Sequence, residues 1–418
     1  MITPSFGLTA TERVLPRLAL DFTTASLDSR ITFTRALNTA TRVNSSGYVE
    51  TVNADVARFD YDPVTKVCKG LLIEASKSNL LTYSQLFSDV VWIKTNANIT
   101  DNALTSPSGS VDAGKMIETT ATGQHWMRQE KTVVANTAHT VSLYAKAGER
   151  DKIRFGILNN ALSSGAFAQF NLTTGVISGQ TTAGTATNIT YSMVAAGNGW
   201  YRCAVTAIVD ASSTVITPFI GILDASGNAS YTGDGTSGFY AWAGQMEAGA
   251  FPTSYIPTTT TSLTRNADVA TMTGTNFSDW YNASEGTFAA QIASGLSPSG
   301  TIVSADFGSA SRITYQLLSG NLAYFVRAAG ATSALLSPAA YTQNTVAKIA
   351  GAYKVDNYAA AANASAVLTD TAGVLPPTPT QLTIGSYIGN NSFLSGHVQK
   401  IMYWPQRLVN AEVQAFSK

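Results

Sequence analysis

Gly238-Phe-Tyr-Ala-Trp-Ala-Gly-Gln-Met-Glu247, read with Trp200-Tyr-Arg-Cys-Ala-Val-Thr-Ala207 and His139-Thr-Val-Ser-Leu-Tyr-Ala-Lys146, decides the fold. Each stretch is short and interleaves apolar with small or polar residues. A period of two sends alternate side chains to opposite faces, which is the pattern of a half-buried strand. Working outward, Lys131-Thr-Val-Val134, Ile153-Arg-Phe-Gly-Ile-Leu158, Ala166-Phe-Ala-Gln-Phe-Asn-Leu172 and Val215-Ile-Thr-Pro-Phe-Ile-Gly-Ile-Leu223 repeat the pattern between Gly, Asn, Ser and Asp breaks. Many short strands of this kind predict one antiparallel sandwich or jelly roll over residues 81–260. One solvated face per sheet accounts for the alternation.

The flanking regions extend the all-β reading. Residues 1–80 carry short alternating runs at Ile31-Thr-Phe-Thr-Arg35, Gly47-Tyr-Val-Glu-Thr-Val52 and Gly70-Leu-Leu-Ile-Glu74. They read as an N-terminal attachment segment too open to hold a large core. Pro257-Thr-Thr-Thr-Thr-Ser262 has no apolar residue, so it reads as a connector that does not pack. Residues 267–418 form a second sandwich, through strands such as Gly286-Thr-Phe-Ala-Ala-Gln-Ile292 and Asn321-Leu-Ala-Tyr-Phe-Val-Arg327. Asn410-Ala-Glu-Val-Gln-Ala-Phe416 fits a closing helix with Asn410 as N-cap. No heptad seam is sustained, so a long coiled coil is excluded. The fold class is therefore all-β: an N-terminal anchoring segment followed by two antiparallel β-sandwich (jelly-roll) domains.

Composition limits the chemistry. Of 418 residues only 12% are charged, and 26 basic residues balance 26 acidic ones. Such a chain has no basic stripe for phosphates, so a general nucleic-acid partner is not expected. Its apolar content of 45% argues against disorder. Cys68 and Cys203 lie far apart and could form at most one bridge. Met1-Ile-Thr-Pro-Ser-Phe-Gly7 has no basic region ahead of an apolar stretch, so no export leader is expected. No apolar run suggests a membrane span.

Catalytic and metal motifs are sparse. His125, His139 and His397 sit in separate segments without metal-ligand spacing, and no metal or cofactor is expected. Gly233-Asp-Gly-Thr236, with Asp224 upstream, offers oxygens to a calcium ion, but an ordinary Asp-Gly turn accounts for it better. There is no GxSxG elbow. Glu118, Glu130, Glu247, Glu285 and Asp306 are possible glycosidase carboxylates, yet nothing in the sequence pairs them. No catalytic residue is assigned.

Aromatic residues are the better functional material, because sugars stack C–H faces on rings and bond their hydroxyls to amides. Trp200, Trp242 and Trp404 lie inside strand phrases and are expected in the core. Trp126 lies among polar neighbours, Gln124 and Arg128, near a turn. Trp280, Tyr281 and Asn282 fall in a polar stretch after the connector. These six residues are the candidate ligand-binding positions.

Three stretches carry a family resemblance: Gly70 through Ser84 with Trp92-Ile-Lys-Thr95, Gly199-Trp-Tyr-Arg-Cys203, and Tyr231 through Thr258. Together they resemble the head-spike or head-fibre proteins of tailed bacteriophages, whose middle domain resembles a carbohydrate-binding-module jelly roll. Leu382-Thr-Ile-Gly385 and Phe393 through Gln414 resemble the closing strand and helix of a concanavalin-A-like or laminin-G-like sandwich. The resemblance implies a virion surface protein, assembled in the host cytoplasm and working on the particle exterior. It would be a homo-oligomer, a trimer by analogy with phage fibres. It would grip capsid or tail proteins by its N-terminus and host surface polysaccharide by its sandwiches. The alternatives are a virion-associated polysaccharide-degrading enzyme and a purely structural capsid cement protein.

Overall fold

The computed structural model describes residues 15–389 and 392–418. The leader reading at Met1–Gly7 lies outside the described residues. The first sandwich is built as expected from antiparallel strands. One sheet runs in the order Thr187–Ala195, Trp200–Ile208, His139–Lys146, Gly238–Ala248, Val111–Glu118, Ala97–Thr105. The facing sheet runs Val176–Ala183, Gly165–Asn171, Lys152–Asn159, Val215–Ile222, Thr122–Arg128, Ser230–Thr232, with Ile93–Thr95 paired to Thr122–Arg128. Val141, Leu143, Ile153, Phe155, Phe170 and Ile220 close the core between them. Each such side chain contributes roughly 1.5–3 kcal/mol on burial. Trp200 and Trp242 are buried in a satellite cluster, and Trp404 lies under the C-terminal helix, all three in the core as expected.

The second sandwich is discontinuous in sequence. Strand Gly396–Trp404 pairs with Glu285–Gly295 on one side, and with Leu18–Asp21 and Cys68–Ile73 on the other. On the opposite sheet Thr32–Thr34 pairs with Val269–Thr273. Leu18, Leu20, Phe22, Phe33, Phe59, Leu71 and Ile73 belong to one apolar cluster with Phe288, Tyr315, Ile401 and Tyr403. Leu18–Asp21, Thr32–Thr34, Phe59–Tyr61 and Cys68–Ile73 are therefore woven into the C-terminal sandwich, while Ala40–Val43 and Val49–Val52 pair only with each other. The physical reason is that strands of three to six residues cannot bury their apolar faces alone. The first sandwich is an insertion between these two parts.

The chain leaves for the insertion and returns from it at one neck, where Lys77–Asn79 pairs with Leu263–Arg265. Next to that pair, Arg35, Arg58 and Arg265 close on Glu74 and Asp268, all fully buried. Arg58 Nη2 lies 2.8 Å from Glu74 and Arg35 Nη1 3.2 Å from Asp268. Ser254 donates its N–H and its hydroxyl to Glu74 at 2.8 and 2.7 Å.

Two local expectations are corrected. The Pro257–Ser262 connector does pack at its start: Thr258 is buried, and its hydroxyl donates to the Leu81 carbonyl at 2.7 Å. A threonine methyl and a satisfied hydroxyl are enough for burial without an apolar residue. The closing helix is Asn410–Phe416, but Asn410 is its first helical residue rather than the cap. Glu412 reaches back to accept from the Val409 N–H at 3.1 Å, the reciprocal half of a capping box.

Candidate functional site

The site lies on the outer face of the sheet that contains Lys152–Asn159, Val215–Ile222 and Thr122–Arg128. In these strands Ile153, Phe155, Ile157, Ile220, Ile222 and Met127 point into the core. Strand alternation therefore sends Arg154, Phe219, Gln124, Trp126 and Arg128 outward, and Phe167 and Gln169 from the next strand. The register sets them in two rows. One row reads Phe167, Gly156, Phe219, Arg128, and the next reads Gln169, Arg154, Gly221, Trp126. Rings and guanidinium groups alternate with glycine across the face.

These side chains hold one another. Trp126 packs edge-on to Phe219 with centroids 5.8 Å apart, and Phe219 does the same with Phe167 at 5.8 Å. The Arg128 guanidinium lies over the Trp126 ring at 4.8 Å. That of Arg154 lies 4.0 Å from the Phe167 centroid and 5.2 Å from that of Phe219. Phe219 is buried as the floor, while Trp126, Arg128, Arg154, Phe167 and Gln169 are half-buried and Gln124 is exposed. A shallow depression is lined by Gln124, Trp126, Arg154, Phe219 and Gly221. Gly221 keeps it open: a Cβ there would meet only ordinary contacts at 3.6–3.8 Å, so the space is left, not filled. Rigid half-exposed rings beside amides and guanidinium groups suit a ligand that combines apolar faces with hydroxyls or acids.

Of the six sequence-predicted positions, Gln124, Trp126 and Arg128 come together here on Thr122–Arg128. Trp280, Tyr281 and Asn282 do not form an exposed site, and that expectation is corrected. Trp280 is 5% exposed and sits in a cluster with Phe277, Tyr281, Phe288 and Tyr403. Its indole N–H donates to the Asn276 carbonyl at 2.7 Å. Asn282 ties the loop down, donating its side-chain N–H to the Pro405 carbonyl at 2.8 Å. Phe277 lies in a helical turn, Thr275–Ser278, and residues three apart on a turn share a face, so Phe277 and Trp280 enter the core together. Arg154, Phe167 and Phe219 were missed, because each is a lone outward residue in its own strand until the register aligns them.

The other candidates resolve into structural roles. Asp234 accepts from the backbone and hydroxyls of Thr236 and Ser237, so the Asp-Gly turn spends its oxygens on itself. Glu118 is used by Arg150, Tyr231 and the Asp234 N–H. Among the described residues no three His, Cys, Asp or Glu side chains converge as metal ligands. Glu247 is fully buried and accepts from Gln245 and Thr253.

One arrangement was not legible in sequence. In a cleft between the two sandwiches His397 lies 2.9 Å from Asp60 through Nε2 and 2.6 Å from the Ser294 hydroxyl through Nδ1. Burial, then the nearby Lys69 ammonium, hold His397 below its ordinary value. A neutral ring that donates to Asp60 and accepts from Ser294 satisfies all three groups. Ser294 is 3% exposed and is not among the residues lining the cleft, so its oxygen faces the protein and not a substrate.

Neither a family model nor a curated protein sequence matches the chain. Among solved structures, a sialidase CBM40 from Ruminococcus gnavus bound to α2,6-sialyllactose is 12% identical, with a TM-score of 0.28 over 33% of this chain and 85% of that one. The mouse laminin α1 LG4-5 domains are 10% identical, with a TM-score of 0.25 over 70% and 88%. Trypanosoma rangeli sialidase with the inhibitor DANA is 10% identical, with a TM-score of 0.28 over 78% and 72%. At these scores the likenesses carry no argument for family or ligand, and the site is read from its own geometry.

Proposed function

We propose that this chain is a non-enzymatic glycan-binding protein that works on the surface of a particle. The observation that carries the reading is the outer face of the inserted sandwich: Trp126 half-exposed beside Phe219 and Phe167, with Gln124 and Gln169 alongside. A pyranose ring stacks on the indole while the amides take its hydroxyls. Three or four such contacts give weak binding, and a particle compensates by copy number, since avidity adds orders of magnitude without new contacts.

The particle we propose is a tailed-phage virion, on the strength of the three sequence stretches that resemble head-spike proteins. The C-terminal sandwich and its N-terminal strands would then face capsid or tail proteins, in a homo-oligomer, a trimer by analogy, with the inserted sandwich directed outward. The path of the chain supports that division, because it enters and leaves the insertion at one pair of short strands. The test is a glycan microarray probed with the purified chain, with Trp126→Ala as control. Glycan signals that fall with Trp126→Ala support the reading. A blank array for the native chain overturns it and favours a structural cement role. Antibody labelling of purified virions tests the location, and unlabelled particles would end the virion proposal.

A further inference from the structure

The outer face holds an arginine with nothing to bond to. The Arg154 side chain makes no hydrogen bond and no ion pair with the protein among the described residues, and its Nε is buried without a partner. Its charge is partly stripped of water between Phe167 and Phe219, and burial draws its pKa down. Leaving a half-desolvated charge unpaired opposes folding. Elsewhere Arg35, Arg58, Arg150 and Arg265 are all supplied with carboxylates. On this face Glu130 lies 3.9 Å from Arg128. A chain of zero net charge thus sets one unpaired guanidinium, that of Arg154, at the wall of an open depression, with that of Arg128 on the neighbouring Trp126 ring.

Resting on the glycan-binding reading, we infer that the ligand of this face is an acidic sugar whose carboxylate is taken by Arg154. The ring contacts fix the plane of the guanidinium, and a planar fork pairs bidentately with a carboxylate. Arg154 and Trp126 are separated by the Gly221 strand alone. Two strand spacings are about 10 Å, which spans one pyranose with its exocyclic carboxylate. The sugar ring stacks by Trp126, lies over the Gly221 hollow, and sets its acid against Arg154. Arg128 reinforces the field from the far side of the indole.

The test immobilises polygalacturonate and hyaluronan, each beside its methyl-esterified form, with dextran and dextran sulfate for comparison, and flows the whole chain over them. The expected result is binding to a carboxylated polymer that weakens about tenfold or more on esterification. Arg154→Gln reproduces that loss on the free acid and brings the ratio of acid to ester binding close to one. Arg154→Lys recovers only part, because it keeps the charge and loses the fork. Equal binding to acid and ester, or an Arg154→Gln chain that binds the acid as before, overturns the acid-sugar inference and leaves glycan binding standing. Dextran sulfate bound as tightly, with the same Arg154 dependence, replaces the carboxylate by a general anion site. If no polymer binds, the glycan reading fails and takes this one with it. The acid-against-ester comparison uses the native chain, so it stands even if a variant folds poorly.

Discussion

Two sets of arginines in this chain are treated in opposite ways. At the neck Arg35, Arg58 and Arg265 are buried and closed on Glu74 and Asp268, with Ser254 and backbone carbonyls taking further terminal N–H groups while the Nε of Arg35 and of Arg265 stay unpartnered. On the outer face of the inserted sandwich, Arg154 is half-buried, stacked on rings and unbonded. The first set closes its charges on carboxylates of the same chain where the two sandwiches meet. The second leaves one bond to be made from outside. The lesson is that the partners left unmade, more than the residue type, separate a structural charge from a recognition charge.

The largest effect should come from opening the neck. Glu74→Ala leaves three buried arginines facing one carboxylate, and removing one partner of a buried ion pair costs about 3–5 kcal/mol. Urea unfolding should show that loss. A change under about 1 kcal/mol would mean the network relaxes into water. A similar loss, about 3–5 kcal/mol, is expected for Trp280→Ala, which empties a packed aromatic cluster. Trp126→Ala should sharpen the contrast: the ring is only half-buried, so stability falls much less, while glycan binding drops about tenfold.

The neck also sets a pH dependence. Burial raises the Glu74 pKa, but Arg265 and Arg58 outweigh it and hold the carboxylate well below its ordinary 4.5. Stability from a depressed carboxylate is present above its unfolded value and drains as pH falls through the folded one. The urea midpoint should therefore show no Glu74-dependent change above about pH 5.5 and fall progressively below about 4.5. Glu74→Gln should flatten that acid limb. An unchanged limb would assign acid sensitivity to other carboxylates, among them Asp60, also held low against burial by His397 and Lys69.

The smallest stability effect is expected at the outer face. Arg154→Gln removes a charge with no partner, so the chain should unfold within about 0.5 kcal/mol of the native one, or slightly later. A clear destabilisation would mean that Arg154 holds the sheet together, and would remove the contrast with the neck.

Much of the fold was legible in period-two patterning, because antiparallel sheets with one wet face write their alternation into the sequence. The weaving of Leu18–Asp21, Thr32–Thr34, Phe59–Tyr61 and Cys68–Ile73 into the C-terminal sandwich was not. Its strand partners lie hundreds of residues apart, as in Leu18 with Tyr403, and local pattern carries no register. Trp126 was found because its neighbours are polar. Trp280 was misplaced for the same reason, since the polar residues around it face out from a helical turn while Phe277 and Trp280 face in. Arg154, Phe167 and Phe219 carried a signal, namely rings and a guanidinium at outward positions. It becomes a site only when three strands are laid side by side.

The most direct test of the central claim uses the six tryptophans as reporters. Indole N–H signals of the isotope-labelled chain can be followed while a galacturonate oligosaccharide is added. The account predicts that the Trp126 signal, assigned by its loss in Trp126→Phe, shifts in a saturable way while the buried Trp280 signal stays still. A titration that moves another indole and leaves Trp126 in place would contradict it.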